Sequence, residues 1–233
     1  ARPVSHWLDL VALGTVADLA PLNRPENREL VRRGLKVLNR GKRLGVYELY
    51  QVAGIDLEKT QINTTTIAFM LGPRINAAGR LDSAMIAHDL LLSNNGRAAS
   101  ELAQQLQDLN LRRQELTLEA VGVARERAFS GADGDLPLIF DAGTEFPHGI
   151  VGLVAGRLCE EFYRPAIVVG TDKDQQEWRG SCRSIPEFDI TQALDRCADL
   201  LIRHGGHAQA AGFTVSAENL PILRERLIEM AHE

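Results

Sequence analysis

The chain has only three cysteines in 233 residues, Cys159, Cys182 and Cys197, with no close pair and no C-x-x-C spacing. That argues against a disulfide framework or a thiolate zinc site and suits a reducing, cytoplasmic setting. No apolar run approaches the ~18 residues of a membrane-crossing helix, so no membrane partner is expected, and nothing reads as a secretion signal. Basic charge is not in surplus, since the formal net charge is −5; a nucleic-acid partner would have to meet a local basic patch. Aromatic residues are scarce at 5%, and both tryptophans, Trp7 and Trp178, read as packing, with base stacking by Trp178 as the alternative. Internal repeats and low-complexity tracts are also missing. The remaining composition, 45% hydrophobic and 24% charged, is ordinary for a globular protein. The chain opens without methionine, as a piece of a longer protein would.

The apolar pattern predicts an α/β protein. The near-continuous run Trp7–Leu13 reads as a strand buried on both faces, which would put Asp18 just past the carboxyl end of a parallel strand. Helices are expected over Asn27–Leu38 and Val46–Ala53. A third, capped by Asn63 or Thr64, would run through Met70 and stop at Gly72-Pro73. Pro73–Leu81 has too little apolar periodicity for a packed helix. A short helix over Ala84–Leu92 follows, then a turn at Asn94-Asn95-Gly96. From Arg97 to Ser130 nothing stronger than Gly122 interrupts a helix, which at ~1.5 Å per residue would be roughly 50 Å long. Leu102, Leu109, Leu116 and Val123 recur every seven residues along it, with Leu106 between the first pair. Beyond it, strands at 136–140, 166–169, 178–184 and 213–215 alternate with helices at 148–162, 190–202 and 220–230, the pattern of a compact α/β lobe. The expected division is 1–95, a connecting helix over 96–130, and 131–233.

Five short segments carry residue types suited to phosphate chemistry. Asp18 is a carboxylate of the kind hard divalent cations take, or a cap for the next turn. Arg74, Asn76 and Arg80 lie close together, and the planar guanidinium fork matches phosphate; the alternative is a solvated surface loop. On a strand, Ser181 and Arg183 would share a face by the two-residue period, while Cys182 would point away into packing. His148 would open a helix whose N-terminus favours anions, with Gly152 and Gly156 a turn apart for close packing. The segment Arg203–Gly212 concentrates glycine, alanine and two histidines. Gly205, Gly206 and His207 there read as an anion cradle, or as a tight turn leading into a strand.

These segments, in this order, resemble the DHH phosphoesterase family, and specifically its bacterial branch of single-strand-specific 5′-to-3′ DNA exonucleases. The resemblance covers nearly the whole chain. It implies a metal-dependent hydrolase of single-stranded DNA acting in repair and recombination, with two Mn²⁺ or Mg²⁺ ions in the intact enzyme. It further implies that Asp18 is a catalytic metal ligand. Arg74, Asn76 and Arg80 would approach substrate phosphate, Ser181 and Arg183 would hold the 5′ end, and Gly205–Gly212 would grip the DNA backbone. A single-strand-binding protein and a helicase are further implied partners. In domain terms the chain would be the C-terminal part of a parallel-sheet DHH domain, the connecting helix, and a smaller α/β DHH-associated domain. The family's Asp-His-His motif and its other upstream carboxylate motifs do not occur in the chain and are expected before Ala1, so an isolated piece should be inactive. A non-catalytic nucleic-acid-binding module and a phosphodiesterase of short oligonucleotides or cyclic dinucleotides are the rival readings.

Overall fold

A computed structural model of the chain describes residues 4–128, 136–171 and 177–232. The chain divides into two units, Ala1–Arg113 and Gln114–Glu233.

The first unit is helical, and no strand occurs among its described residues. It holds α1 (Leu8–Ala17), α2 (Pro25–Leu38), α3 (Leu44–Val52), α4 (Thr64–Thr66), α5 (Gly72–Leu81), α6 (Met85–Leu92) and the start of α7 (Gly96–Ala128). The strand expected over Trp7–Leu13 is therefore a helix. A run that is apolar all round fits a helix packed on several sides as well as a buried strand, and α1 buries Ala12, Leu13 and Val16. Asp18 consequently closes a helix, not a sheet edge. Helix α2 crosses α1 at Gly34, where a Cβ would fall 2.2 Å from the Leu8 carbonyl oxygen.

Asp9 of α1 is buried, and its carboxylate accepts from Arg43 Nε at 2.5 Å and Nη2 at 3.0 Å. Arg43 Nη2 also donates to the His6 carbonyl at 2.7 Å, and the guanidinium carbon lies 5.2 Å from the Trp7 ring centre. Arg43 immediately precedes α3, so this one side chain joins α3 to the start of α1.

The second departure is at Pro73. Asn63 caps as expected: its Oδ1 accepts from the Thr66 N–H at 2.9 Å, and its own N–H donates to Thr66 Oγ1 at 3.4 Å. The helix does not stop at Gly72-Pro73. It passes through a π-helical turn, Ile67–Leu71, straight into α5, with the Gly72 N–H donating to the Ile67 carbonyl five residues back. Proline lacks an N–H and crowds the carbonyl four residues earlier; the wider turn relieves that crowding.

Helix α7 spans 33 residues as one element; the expected end at Ser130 lies outside the described residues. The heptad leucines prove to be a half-buried flank. The fully buried line runs one position over, through Ala99, Ala103, Leu106, Asn110, Thr117, Ala120 and Ala124. Small side chains there let neighbours approach the helix closely.

The second unit carries β1 (Ile139–Ala142), α8 (Val151–Phe162), β2 (Ala166–Thr171), β3 (Glu177–Arg183), α9 (Ile190–Asp195), β4 (Leu201–His207), β5 (Ala210–Ser216) and α10 (Leu220–His232). The strands form one sheet in the order β1-β2-β3-β5-β4, parallel between β1 and β2 and antiparallel elsewhere. The expected helix over 190–202 ends at Asp195, and Leu201 onward becomes the outer strand β4. That strand was hidden because every residue in it except Leu201 and Ile202 is polar or glycine, and none is fully buried. One sheet face, with Ile167, Val169, Cys182, Phe213 and Val215, forms the core against Leu194, Leu223 and Leu227.

Cys182 is fully buried in that core, and burial pushes all three cysteine thiols up from their ordinary range. Thiolate, the reactive form, is therefore scarce and shielded. The folded protein is expected to resist maleimide at neutral pH and to label at three positions once unfolded. Modification of Cys182 in the folded state, read by mass spectrometry, would contradict this packing.

Candidate nucleic-acid interface

The face of the sheet opposite the core is built by register. Directly paired residues of neighbouring strands share a face. Ser181 pairs with Gly212, which pairs with Gly205, while Arg183 pairs with Ala210, which pairs with His207. Arg179 pairs with Thr214, opposite Arg203. This part of the sheet thus carries a strip of glycine and alanine bordered by Arg179, Ser181, Arg183, Arg203 and His207. Glu177 is at the far end of the same face, paired with Ser216.

Helix α8 covers the adjoining part of that face, and its glycines set how closely. A Cβ on Gly152 would stand 2.9 Å from Ser181 Oγ and 3.4 Å from Arg183 Nη2. Arg183 Nη1 donates to Ser181 Oγ at 3.3 Å and to the Cys182 carbonyl at 2.8 Å, which fixes the side chain beside the hydroxyl. The loop before α8 is seated in the same manner. A Cβ on Gly170 would fall 2.0 Å from the Phe146 carbonyl oxygen and 3.3 Å from His148 Cδ2. His148 therefore sits in the turn ahead of α8, which starts at Val151 and not at the histidine as expected.

The Gly205 segment is a hairpin, not an open loop. Strands β4 and β5 are joined at Ala208-Gln209, and the turn is pinned by the Ser184 N–H to the Gln209 carbonyl at 2.9 Å and the Ile190 N–H to the Ala208 carbonyl at 3.0 Å. Backbone groups there are committed to the strand ladder, so the segment supplies a bare floor more than a set of N–H donors. Its glycines differ in purpose. A Cβ on Gly206 would lie 2.4 Å from the Ala210 carbonyl oxygen, whereas one on Gly205 would meet nothing within 4 Å. Gly206 is needed for packing, and Gly205 leaves open space on the basic face.

The first unit places its own set separately. Asp18 is exposed at the end of α1, and a Cβ on Gly72 would reach within 3.3 Å of Ala17 Cβ, so the end of α1 lies beside the start of α5. Arg74 and Asn76 do not face the same way. Residues two apart on a helix point nearly opposite. Arg74 turns inward, donating from Nε to Gln107 Oε1 at 2.7 Å and from Nη1 to the Met70 carbonyl at 2.5 Å. Burial draws its pKa down from the ordinary arginine value. Asn76 and Arg80, four apart, share the exposed side of α5. Among the described residues no three of His, Cys, Asp and Glu group as a metal site. One exposed carboxylate does not meet a divalent cation's need for several oxygen ligands, so the chain's described residues do not by themselves fit a metal centre.

Gly170, Arg179, Arg203 and Gln107 were not singled out from the sequence. Gly170 ends an apolar strand with no motif around it, and Gln107 is one of many polar residues on a long helix; neither leaves a local signal.

Residues 135–233 match the DHHA1 domain, which the sheet with α8, α9 and α10 embodies. The likeness runs further. The chain is 42% identical over 228 residues to the single-stranded-DNA-specific exonuclease RecJ of Bacillus subtilis, covering 96% of this chain and 28% of that protein. Crystal structures of RecJ from Thermus thermophilus, one in complex with Mg²⁺ and one with Mn²⁺, superpose with TM-scores of 0.86 and 0.85 at 33% identity. Each covers 99% of this chain, and the chain spans 35% and 33% of theirs. The chain belongs to the RecJ family, and it spans about a third of the length of these relatives.

Proposed function

We propose that this chain is the strand-gripping part of a metal-dependent exonuclease that degrades single-stranded DNA from the 5′ end. The observation that carries the reading is the shared sheet face of Ser181, Arg183, Gly205 and His207, with Gly205 and Gly212 leaving the floor bare. Such a floor accepts a sugar-phosphate chain at close range. Arg179, Arg183 and Arg203 supply the positive charge that single strands require. Ser181, held by Arg183, has a hydroxyl hydrogen to offer a terminal phosphate. His148, above Gly170, lies on the same face. On the first unit, Asn76 and Arg80 make exposed contacts to phosphate, and Arg74 stiffens α5 against α7.

The relatives' Mg²⁺ and Mn²⁺ point to metal chemistry in the whole enzyme. Asp18 contributes one ligand to it, and the others come from parts of the protein outside this stretch. This chain alone therefore binds strands and does not cut them. The same feature, a grip without a metal centre, is what a purely binding module would show, so nuclease and module readings part only in the full-length protein.

The test is fluorescence anisotropy with a 5′-phosphorylated single strand. Gly205→Val fills open space, so its melting temperature should match the parent while affinity falls about tenfold, as removal of one or two charge-assisted hydrogen bonds would give. Arg183→Ala should weaken binding comparably and lower the salt slope by about 0.7 for each phosphate it no longer neutralises. Unchanged affinity in both variants would remove the sheet face as the strand site. Release of mononucleotides by this chain with Mn²⁺ would show that its metal centre is complete, contrary to the proposal.

A further inference from the structure

A cavity of about 400 Å³ runs along the outer edge of β1, at the opposite end of the sheet order from the glycine hairpin, and the strand-binding reading makes no use of it. Its size is that of a small-molecule site. Leu138, Phe140 and Leu220 give it apolar walls, and Arg127, Arg164 and Arg224 give it positive charge. Asp141 also lines it, and this residue is only 8% exposed. One carboxylate oxygen, Oδ1, accepts from Arg127 Nη1 at 3.3 Å. The other, Oδ2, is buried and has no hydrogen-bond partner among the described residues.

A buried acceptor without a donor is a costly arrangement, and a ligand N–H would cure it. The geometry is stiff enough to select that ligand. Arg127 is held by Glu145 at 2.5 Å as well as by Asp141, and its guanidinium carbon lies 5.9 Å from the Phe146 ring centre. Burial raises the Asp141 pKa while Arg127 opposes the rise, so the carboxyl stays tied to its partner. The cavity thus offers an acceptor oxygen beside a guanidinium, flat apolar walls, and two further arginines. Few small molecules answer all of these. The ligand must be planar, must present N–H donors next to a carbonyl, and must carry an anionic group.

We propose that this cavity binds a guanine nucleotide. The N1–H and N2–H donors would face Asp141, O6 would face Arg127, and the phosphate would face Arg164 and Arg224. Thymine and uracil bring carbonyls to both sides of their single N–H, which a carboxylate repels. Adenine lacks the N1–H. A bare phosphate satisfies the arginines and leaves Asp141 as it is. The site is separate from the strand-gripping face, and the proposal stands whether or not that face binds DNA.

The experiment is an NMR titration of the ¹⁵N-labelled chain with GMP, dTMP, xanthosine monophosphate and inorganic phosphate. GMP should shift amides of β1 and the first turn of α10, with dTMP and phosphate at least about tenfold weaker, the discrimination of a good paired contact. Asp141→Asn turns the orphaned acceptor into a donor. It should weaken GMP about tenfold and reverse the preference toward xanthosine monophosphate, whose O2 accepts where guanine donates. Arg224→Ala, on α10 and outside the sheet, should weaken GMP and leave guanosine unaffected, which keeps the idea testable if Asp141→Asn unfolds. Absence of β1 shifts at millimolar GMP, equal binding of dTMP or phosphate, shifts confined to the Gly205 face, or a folded Asp141→Asn chain with unaltered selectivity would each overturn it.

Discussion

Arg43→Ala is expected to destabilise the helical unit by about 3–5 kcal/mol, because it strands a buried charge. The Asp9 and Arg43 side chains are 5% and 13% exposed, so neither can recover its hydration in place. The substitution also frees the His6 carbonyl and removes the cation from beside the Trp7 ring. Urea unfolding followed by circular dichroism would show the first transition moved to lower denaturant, and a thermal scan would show it lower by roughly 15 °C or more. The pair itself contributes far less than its rupture costs. A double variant, Asp9→Leu with Arg43→Met, should recover most of the deficit, since an apolar pair of similar volume serves as well as a buried ion pair. A single variant destabilised by under about 1 kcal/mol would mean that water reaches Asp9 freely.

The second large effect belongs to Gly170. Gly170→Ala puts a methyl 2.0 Å from the Phe146 carbonyl oxygen, and that atom is backbone, so no rotamer change can yield. The loop from Phe146 to His148 has to lift from the sheet or β2 has to bend. A clash of this kind in a packed region costs about 3 kcal/mol. Phe146 is itself fully buried, so lifting the loop also opens the core around its ring. The expected result is a lower melting transition for the DHHA1 unit together with displaced His148 resonances. Gly205→Val, on the same sheet but in open space, should show neither. Equal behaviour of the two variants would mean that glycine at 170 serves no packing purpose.

What could be read in advance follows from how much each signal depends on neighbours. Helix α7 was legible because nothing over some thirty residues breaks it, and Asn63 was legible because a capping side chain acts on its own next turn. The phosphate-binding pairs of the sheet were partly legible: the two-residue period placed Ser181 and Arg183 on one face. What surrounds them was not, because Gly152 and Gly170 acquire their meaning only when a helix and a loop arrive from elsewhere in the chain. Helix α1 was misread because a residue string that is apolar on every side has no period to report. Strand β4 was missed because an outer strand with polar residues on both faces has no alternation to report. At α5, Gly72-Pro73 is a stop signal by local chemistry, and the wider turn ahead of it overrode that signal.

That turn also sets an angular phase. Each residue advances a helix by about 100° about its axis. Excising one residue between Ile67 and Leu71 would let the segment close into ordinary spacing, and everything downstream would swing by that amount. Asn76 and Arg80 would leave their outward bearing, Arg74 would lose its reach to Gln107, and the Pro73 ring would meet a carbonyl with nowhere to retreat. In this stretch of the RecJ family chain, residue count is under tighter constraint than residue identity: a swap changes one contact, while a deletion rotates a whole row of them.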